Sequence, residues 1–147
     1  MFTAITTAAL GIALLRLSQV DVRTYRLPDH YTLPLIAVGL ALNSLHLAAI
    51  PWNYIAAAAA GYLTFALIGE AFFKLRGVDG LGLGDAKLLA AAGAWVGLEA
   101  LPLVVLIAAV SALVVTIFSE QDTQKRIAFG PWLAIAFFTV WLASDKW

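Results

Sequence analysis

Residues 31–69 read YTLPLIAVGLALNSLHLAAIPWNYIAAAAAGYLTFALIG, a run without a single Asp, Glu, Lys or Arg. A helix that crosses a bilayer takes about 20 mostly apolar residues. The run therefore holds two spans, and Pro51-Trp52-Asn53 breaks it in the middle. Working outward, Met1 to Leu15 is also uncharged, and with the residues up to about Val20 it makes a first span. Ala100–Ser119 and Ile127–Ser144 are further uncharged stretches, while Leu88–Leu98 is apolar but short. The reading is an all-α polytopic membrane protein of about six transmembrane helices, near 2–19, 31–50, 53–73, 85–97, 100–118 and 130–144, forming one membrane-embedded domain over 1–147.

Composition agrees. The chain is 63% hydrophobic and 12% charged, against roughly 45–50% and about 25% for soluble domains. Net charge is zero, so no basic field exists for nucleic acid. The absence of cysteine excludes a disulfide framework, a zinc-thiolate site and a cysteine nucleophile. A cleaved signal peptide needs a positive region ahead of its apolar core. Here the first charged side chain, Arg16, follows that core, so the first helix reads as a span.

Eight of the nine basic residues, Arg16, Arg23, Arg26, Lys74, Arg76, Lys87, Lys125 and Arg126, lie in or beside the connections after helices one, three and five. The positive-inside rule makes those connections cytoplasmic and both termini external. Trp52, Trp132, Trp141 and Trp147 fall near expected helix ends, where interfacial anchors belong. The five-alanine run Ala56–Ala60 and the small-xxx-small spacing of Gly93 and Gly97 read as close helix-packing surfaces.

Charge inside a bilayer is costly, so its placement carries information. The richest segment is Gly77-Val78-Asp79-Gly80-Leu81-Gly82-Leu83-Gly84-Asp85, followed by Lys87-Leu88-Leu89-Ala90. Two readings fit Asp85: a helix-start cap, which Asp favours, or an acid carried by a glycine loop that permits unusual backbone conformations. A helix over 85–97 is about 20 Å long at 1.5 Å per residue, short of a hydrocarbon core of about 30 Å. The last helix is short too and begins after Phe129-Gly130-Pro131. Both features suggest a cytoplasmic recess. Asp21, at the end of the first helix, is the natural partner of Asp85. Two carboxylates in one desolvated recess do not both ionise easily and share a proton. The ionised member can activate water while the protonated one polarises a carbonyl, which hydrolyses a peptide without a metal or cofactor. Asp29 reads first as a cap for the second helix, and Asp79 as either an accessory loop acid or a solvated one. Lys87 reads as a lipid-headgroup contact. Glu70 and Lys74 have the i,i+4 spacing of a surface ion pair. His46 reads as a packing or interfacial residue, and two distant histidines make no metal site.

These segments resemble the type IV prepilin peptidases, aspartic proteases of the bacterial inner membrane. Asp21-Val22-Arg23-Thr24-Tyr25-Arg26-Leu27-Pro28-Asp29 is similar to the family's first-aspartate segment, Gly82-Leu83-Gly84-Asp85-Ala86-Lys87-Leu88-Leu89-Ala90 to its GxGD segment, and Arg126-Ile127-Ala128-Phe129-Gly130-Pro131 to its late segment ending Phe-Gly-Pro. The resemblance implies Asp21 and Asp85 as the catalytic pair, with Gly82, Gly84, Asp29, Asp79 and Lys87 as loop or substrate-binding residues. It implies a prepilin or pseudopilin precursor as partner, cut at the cytoplasmic face before its hydrophobic helix, with Asp29 and Asp79 drawing in the basic leader. Larger members carry a methyltransferase region with a cysteine-rich loop, so cleavage without N-methylation is expected, as in the short peptidases of tight-adherence pili. Presenilin-type proteases share GxGD, but their Tyr-Asp and Pro-Ala-Leu motifs do not occur here. The alternative to an enzyme is a pilus-assembly pseudoprotease or a small membrane carrier whose acids are proton or substrate sites.

Overall fold

The computed structural model describes residues 2–24, 27–77, 82–118 and 128–144. Within them the chain forms α1 (Phe2–Thr24), α2 (Asp29–Leu47), α3 (Trp52–Arg76), α4 (Leu83–Val96), α5 (Leu101–Phe118) and α6 (Gly130–Ala143). No strand occurs among the described residues. Three helices, α1, α3 and α5, are long and apolar enough to cross a membrane. The six expected helices are all present, with ends shifted by a few residues. The largest shift is in α1, which runs past Asp21 to Thr24, so Asp21 lies inside the helix rather than ending it. Nothing from Gln19 to Thr24 breaks a helix; the first breaker is Pro28, which restrains Leu27 before it.

The short α4 is the centre of the bundle. Every residue from Leu88 to Val96 is buried, and α2, α3, α5 and α6 all pack against it. Its small side chains make this possible. A Cβ at Gly93 would stand 2.5 Å from the Ala57 carbonyl carbon, and one at Gly61 would stand 2.9 Å from the Leu89 carbonyl oxygen. Backbone therefore meets backbone along the α3–α4 seam, the contact that small residues permit where lipid removes most of the hydrophobic drive. The alanine run and Gly93 take the packing roles that their spacing suggested.

Polar atoms tie the opposite flank. α4 ends at Val96, and its last carbonyls have no partner within the helix. The buried Asn43 side chain of α2 donates to the Ala94 carbonyl at 3.0 Å and to its own Gly39 carbonyl at 3.0 Å. The Trp95 indole donates back to the Leu35 carbonyl at 2.8 Å. A buried amide or indole without such a partner would be costly. Trp95 also meets Trp141 edge to face, ring centres 5.2 Å apart. Trp141 is thus buried and is not the interfacial anchor its place in the sequence suggested. Its indole donates to Thr7 Oγ1 at 3.2 Å, joining α6 to α1.

The antiparallel α3–α4 register fixes the depth of the site. Ala57 lies on Gly93 and Gly61 on Leu89, so Asp85, one turn earlier, comes level with Phe65. Phe65 in turn meets Phe129, just ahead of α6, with ring centres 6.1 Å apart. α3 continues for eleven residues to Arg76, about 16 Å at 1.5 Å per residue. The starts of α4 and α6 are therefore set well back from the end of α3.

Replacing Gly93 with valine is expected to force α3 and α4 apart and to lower stability by about 1–3 kcal/mol or more, the usual cost of overpacking. Thermal denaturation of the detergent-solubilised chain measures it.

Candidate active site

Where α1 ends and α2, α4 and α6 begin, three segments far apart in sequence converge. Asp21 is 5% exposed, and its Oδ2 accepts a hydrogen bond from the Gly130 N–H at 3.1 Å. Gly130 is the first residue of α6, after the N-cap Phe129, and Pro131 follows it. The first N–H groups of a helix lack an internal acceptor, and negative charge is favoured there by the helix dipole. Asp21 meets both demands. A Cβ on residue 130 would collide with Asp21 Oδ2 and lie 2.9 Å from its Cγ, so glycine is the residue that admits this approach.

Asp85 is the third residue of α4 and is half-buried. Its N–H donates to the Gly82 carbonyl at 3.1 Å, and a Cβ on residue 82 would stand 3.7 Å from its Oδ2. The same carboxylate stands close enough to Asp21 for their charges to act on each other. Asp85 thus combines a first-turn position, which suits an acid at a helix start, with proximity to Asp21.

The remaining expected site residues divide. Gly84 abuts the Leu27-Pro28-Asp29 segment: a Cβ there would lie 2.7 Å from Leu27 Cβ and 3.1 Å from the Leu27 nitrogen. Gly82 is the N-cap at φ −75°, ψ 146°, an extended conformation open to any residue, so its role does not rest on a glycine-only backbone. Lys87 Nζ forms an ion pair with Asp29 Oδ1, which corrects both earlier readings. Lys87 is directed at α2 rather than at headgroups. Asp29 is the first residue of α2, whose N-cap is Pro28, and its carboxylate is taken up by Lys87. Asp79 lies outside the described residues. Glu70 and Lys74 pair at 2.7 Å, as their spacing suggested.

Two participants had no assigned role in the sequence reading: the Gly130 amide, which holds Asp21, and Leu27, which seats Gly84. The available signal for the first was Gly130 immediately before a helix-starting proline. Thr32, fully buried in α2, has a hydroxyl without a hydrogen-bond partner. Among the described residues no three His, Asp or Glu side chains group as a metal site would require.

A family profile described as the type IV leader peptidase family matches residues 8–117. The chain belongs to the type IV leader peptidase family. Curated relatives named prepilin leader peptidase/N-methyltransferase agree. One from Pectobacterium carotovorum subsp. carotovorum is 47% identical over 126 residues, covering 83% of this chain and 45% of the relative. One from Burkholderia pseudomallei (strain K96243) is 47% identical over 133 residues, covering 86% and 43%. One from Escherichia coli (strain K12) is 41% identical over 140 residues, covering 91% and 62%. The chain thus spans about half the length of these relatives. No solved structure matches it. Both aspartates fall within the residues matched to the family, and Gly130 lies beyond them.

Gly130→Ala should destabilise the protein by about 1–3 kcal/mol through its collision with Asp21. In an Asp21→Ala background the same substitution should cost far less, because the colliding carboxylate is gone. A double-mutant cycle by thermal denaturation checks this, and additivity would contradict the contact.

Proposed function

We propose that residues 1–147 act as a single membrane-embedded aspartic endopeptidase that removes the short basic leader of a type IV prepilin-like or pseudopilin precursor. The reading covers cleavage alone, without N-methylation of the product. What supports it most is one observation: carboxylates from α1 and α4 interact at the recessed end of the bundle, with one of them fixed by the Gly130 amide. Family membership and the names of the relatives point the same way.

In the proposed mechanism the two acids work as a pair that shares one proton. In the proposed reaction the ionised member takes a proton from a water held between them. The resulting oxygen attacks the scissile carbonyl carbon, and the protonated member gives its proton to the carbonyl oxygen. Collapse of the tetrahedral species breaks the C–N bond: the leaving nitrogen takes the proton that the first acid gained from water, and a hydroxyl of the tetrahedral species returns a proton to the second acid, which restores the pair. General acid–base groups of this kind contribute about 10²–10⁴-fold each. The precursor's apolar helix would lie in the bilayer and its leader in the recess. Asp79 is the acid we assign to attracting that leader, since the Asp29 carboxylate is engaged by Lys87.

We place the chain in the bacterial inner membrane with this end toward the cytoplasm. Arg16, Arg23, Lys74, Arg76 and Lys87 are in the halves of their helices nearest it, as the positive-inside rule requires. The starts of α1, α3 and α5 then face outward.

Co-expression of a candidate pilin precursor with wild type, Asp21→Asn and Asp85→Asn tests the proposal, by comparing precursor and mature bands. Each substitution should reduce processing by about 10²–10⁴-fold while the variant still inserts in the membrane. Processing that survives either change overturns the paired-acid mechanism. Failure of the wild type on a panel of pilin-like precursors favours a non-catalytic role in pilus assembly or transport.

A further inference from the structure

The segment after Asp21 and the first turn of α4 are fastened together twice. Leu27 seats on Gly84, the residue immediately before Asp85. Asp29, two residues beyond Leu27, pairs with Lys87, two residues beyond Asp85. Asp85 therefore sits between two fixed points, one apolar and one ionic, and both attach it to the chain that leaves α1 just after Asp21. The apolar contact fixes how closely α4 approaches. The ion pair lies two residues past Asp85 and three past Gly84, so it falls on the same face of the helix as Gly84, about one turn along; two contacts on that face fix the helix's rotation about its axis. Rotation decides where the Asp85 carboxylate points.

We propose that Asp29 and Lys87 are positioning residues, a charge clamp that holds the start of α4 at the rotation in which Asp85 faces Asp21. They act through Asp85 and not by binding the precursor. This rests on the paired-acid reading above, and it replaces the expectation that Asp29 draws in the leader and Lys87 meets lipid. Lys87 is only 24% exposed and Asp29 58%. Solvent reaches the pair from its Asp29 side, and an ion pair screened in this way adds little to stability, so its loss should leave the bundle folded. A carboxylate rotated away from its partner, by contrast, costs the reaction its geometry.

The two models give opposite signatures. As a clamp, Asp29→Asn and Lys87→Gln should each lower kcat by about tenfold or more, the scale on which small misplacements act, with little change in KM. Neither effect should depend on the charge of the leader. The exchange Asp29→Lys with Lys87→Asp should restore most of the rate, since the pair is rebuilt with reversed polarity. As a leader-binding acid, Asp29→Asn would raise KM in proportion to leader charge, Lys87→Gln would leave the rate intact, and the exchange would make matters worse. That pattern overturns the proposal.

A second readout needs no catalysis. The 147 residues hold no cysteine, so Asp21→Cys with Asp85→Cys introduces the only two thiols of this chain. Their yield of cross-link with a short bifunctional thiol reagent in membranes reports how the two positions face each other. The clamp predicts that adding Lys87→Gln lowers this yield severalfold and that the charge exchange recovers it. An unchanged yield overturns the clamp. Should the wild type cleave no precursor, the endopeptidase reading fails, and cross-linking alone still decides the clamp.

Discussion

A helix of 14 residues is about 21 Å long, and a hydrocarbon core is about 30 Å thick. α4 is such a helix, and the rest of the structure depends on how that shortfall is placed. Its far end is held by Asn43 and Trp95, which supply and use hydrogen bonds where the helix stops. The deficit therefore falls at the near end, at Asp85. A carboxylate that would lie in bulk water on a full-length span is set back behind the end of α3 by about three turns. α6, also 14 residues, begins at the same level. The recess is a consequence of two short helices among longer ones.

The three segments that carry the site support one another through contacts of different kinds. Asp21 is held by a main-chain amide of α6, Gly84 by the close approach of Leu27, and Lys87 by the charge of Asp29. The two glycines admit approaches that no larger residue could share. This explains in physical terms why each of the three segments carries glycine, proline or both beside its polar contacts. The neighbours set distances that the acids alone cannot set.

Much of this was legible in the sequence. Uncharged runs marked the helices because a bilayer tolerates few charges and the run lengths match its thickness. The alanine run and Gly93 announced a close seam, because small residues let backbones meet. Asp21 and Asp85 stood out as carboxylates at short or broken apolar stretches. Tertiary partnerships were less visible. Lys87 and Asp29 are far apart in sequence and each has an ordinary local explanation, as headgroup contact and helix cap, which their pairing overrides. Trp141 falls near a helix end, where an anchor would sit, yet α6 starts deep, so that end packs on Trp95. The end of α1 differs by one turn because a polar residue in an apolar helix resembles a terminus, whereas Asp21 is accommodated within the last turn by the N–H that donates to it.

That amide has a consequence for how the site tolerates change. The donor that holds Asp21 belongs to the main chain, so no exchange of one side chain for another, short of proline, removes it. It leaves no polar signature at position 130, only a restriction on size. Natural variation there would be read as a simple intolerance of bulk, although what it protects is the orientation of an acid on another helix.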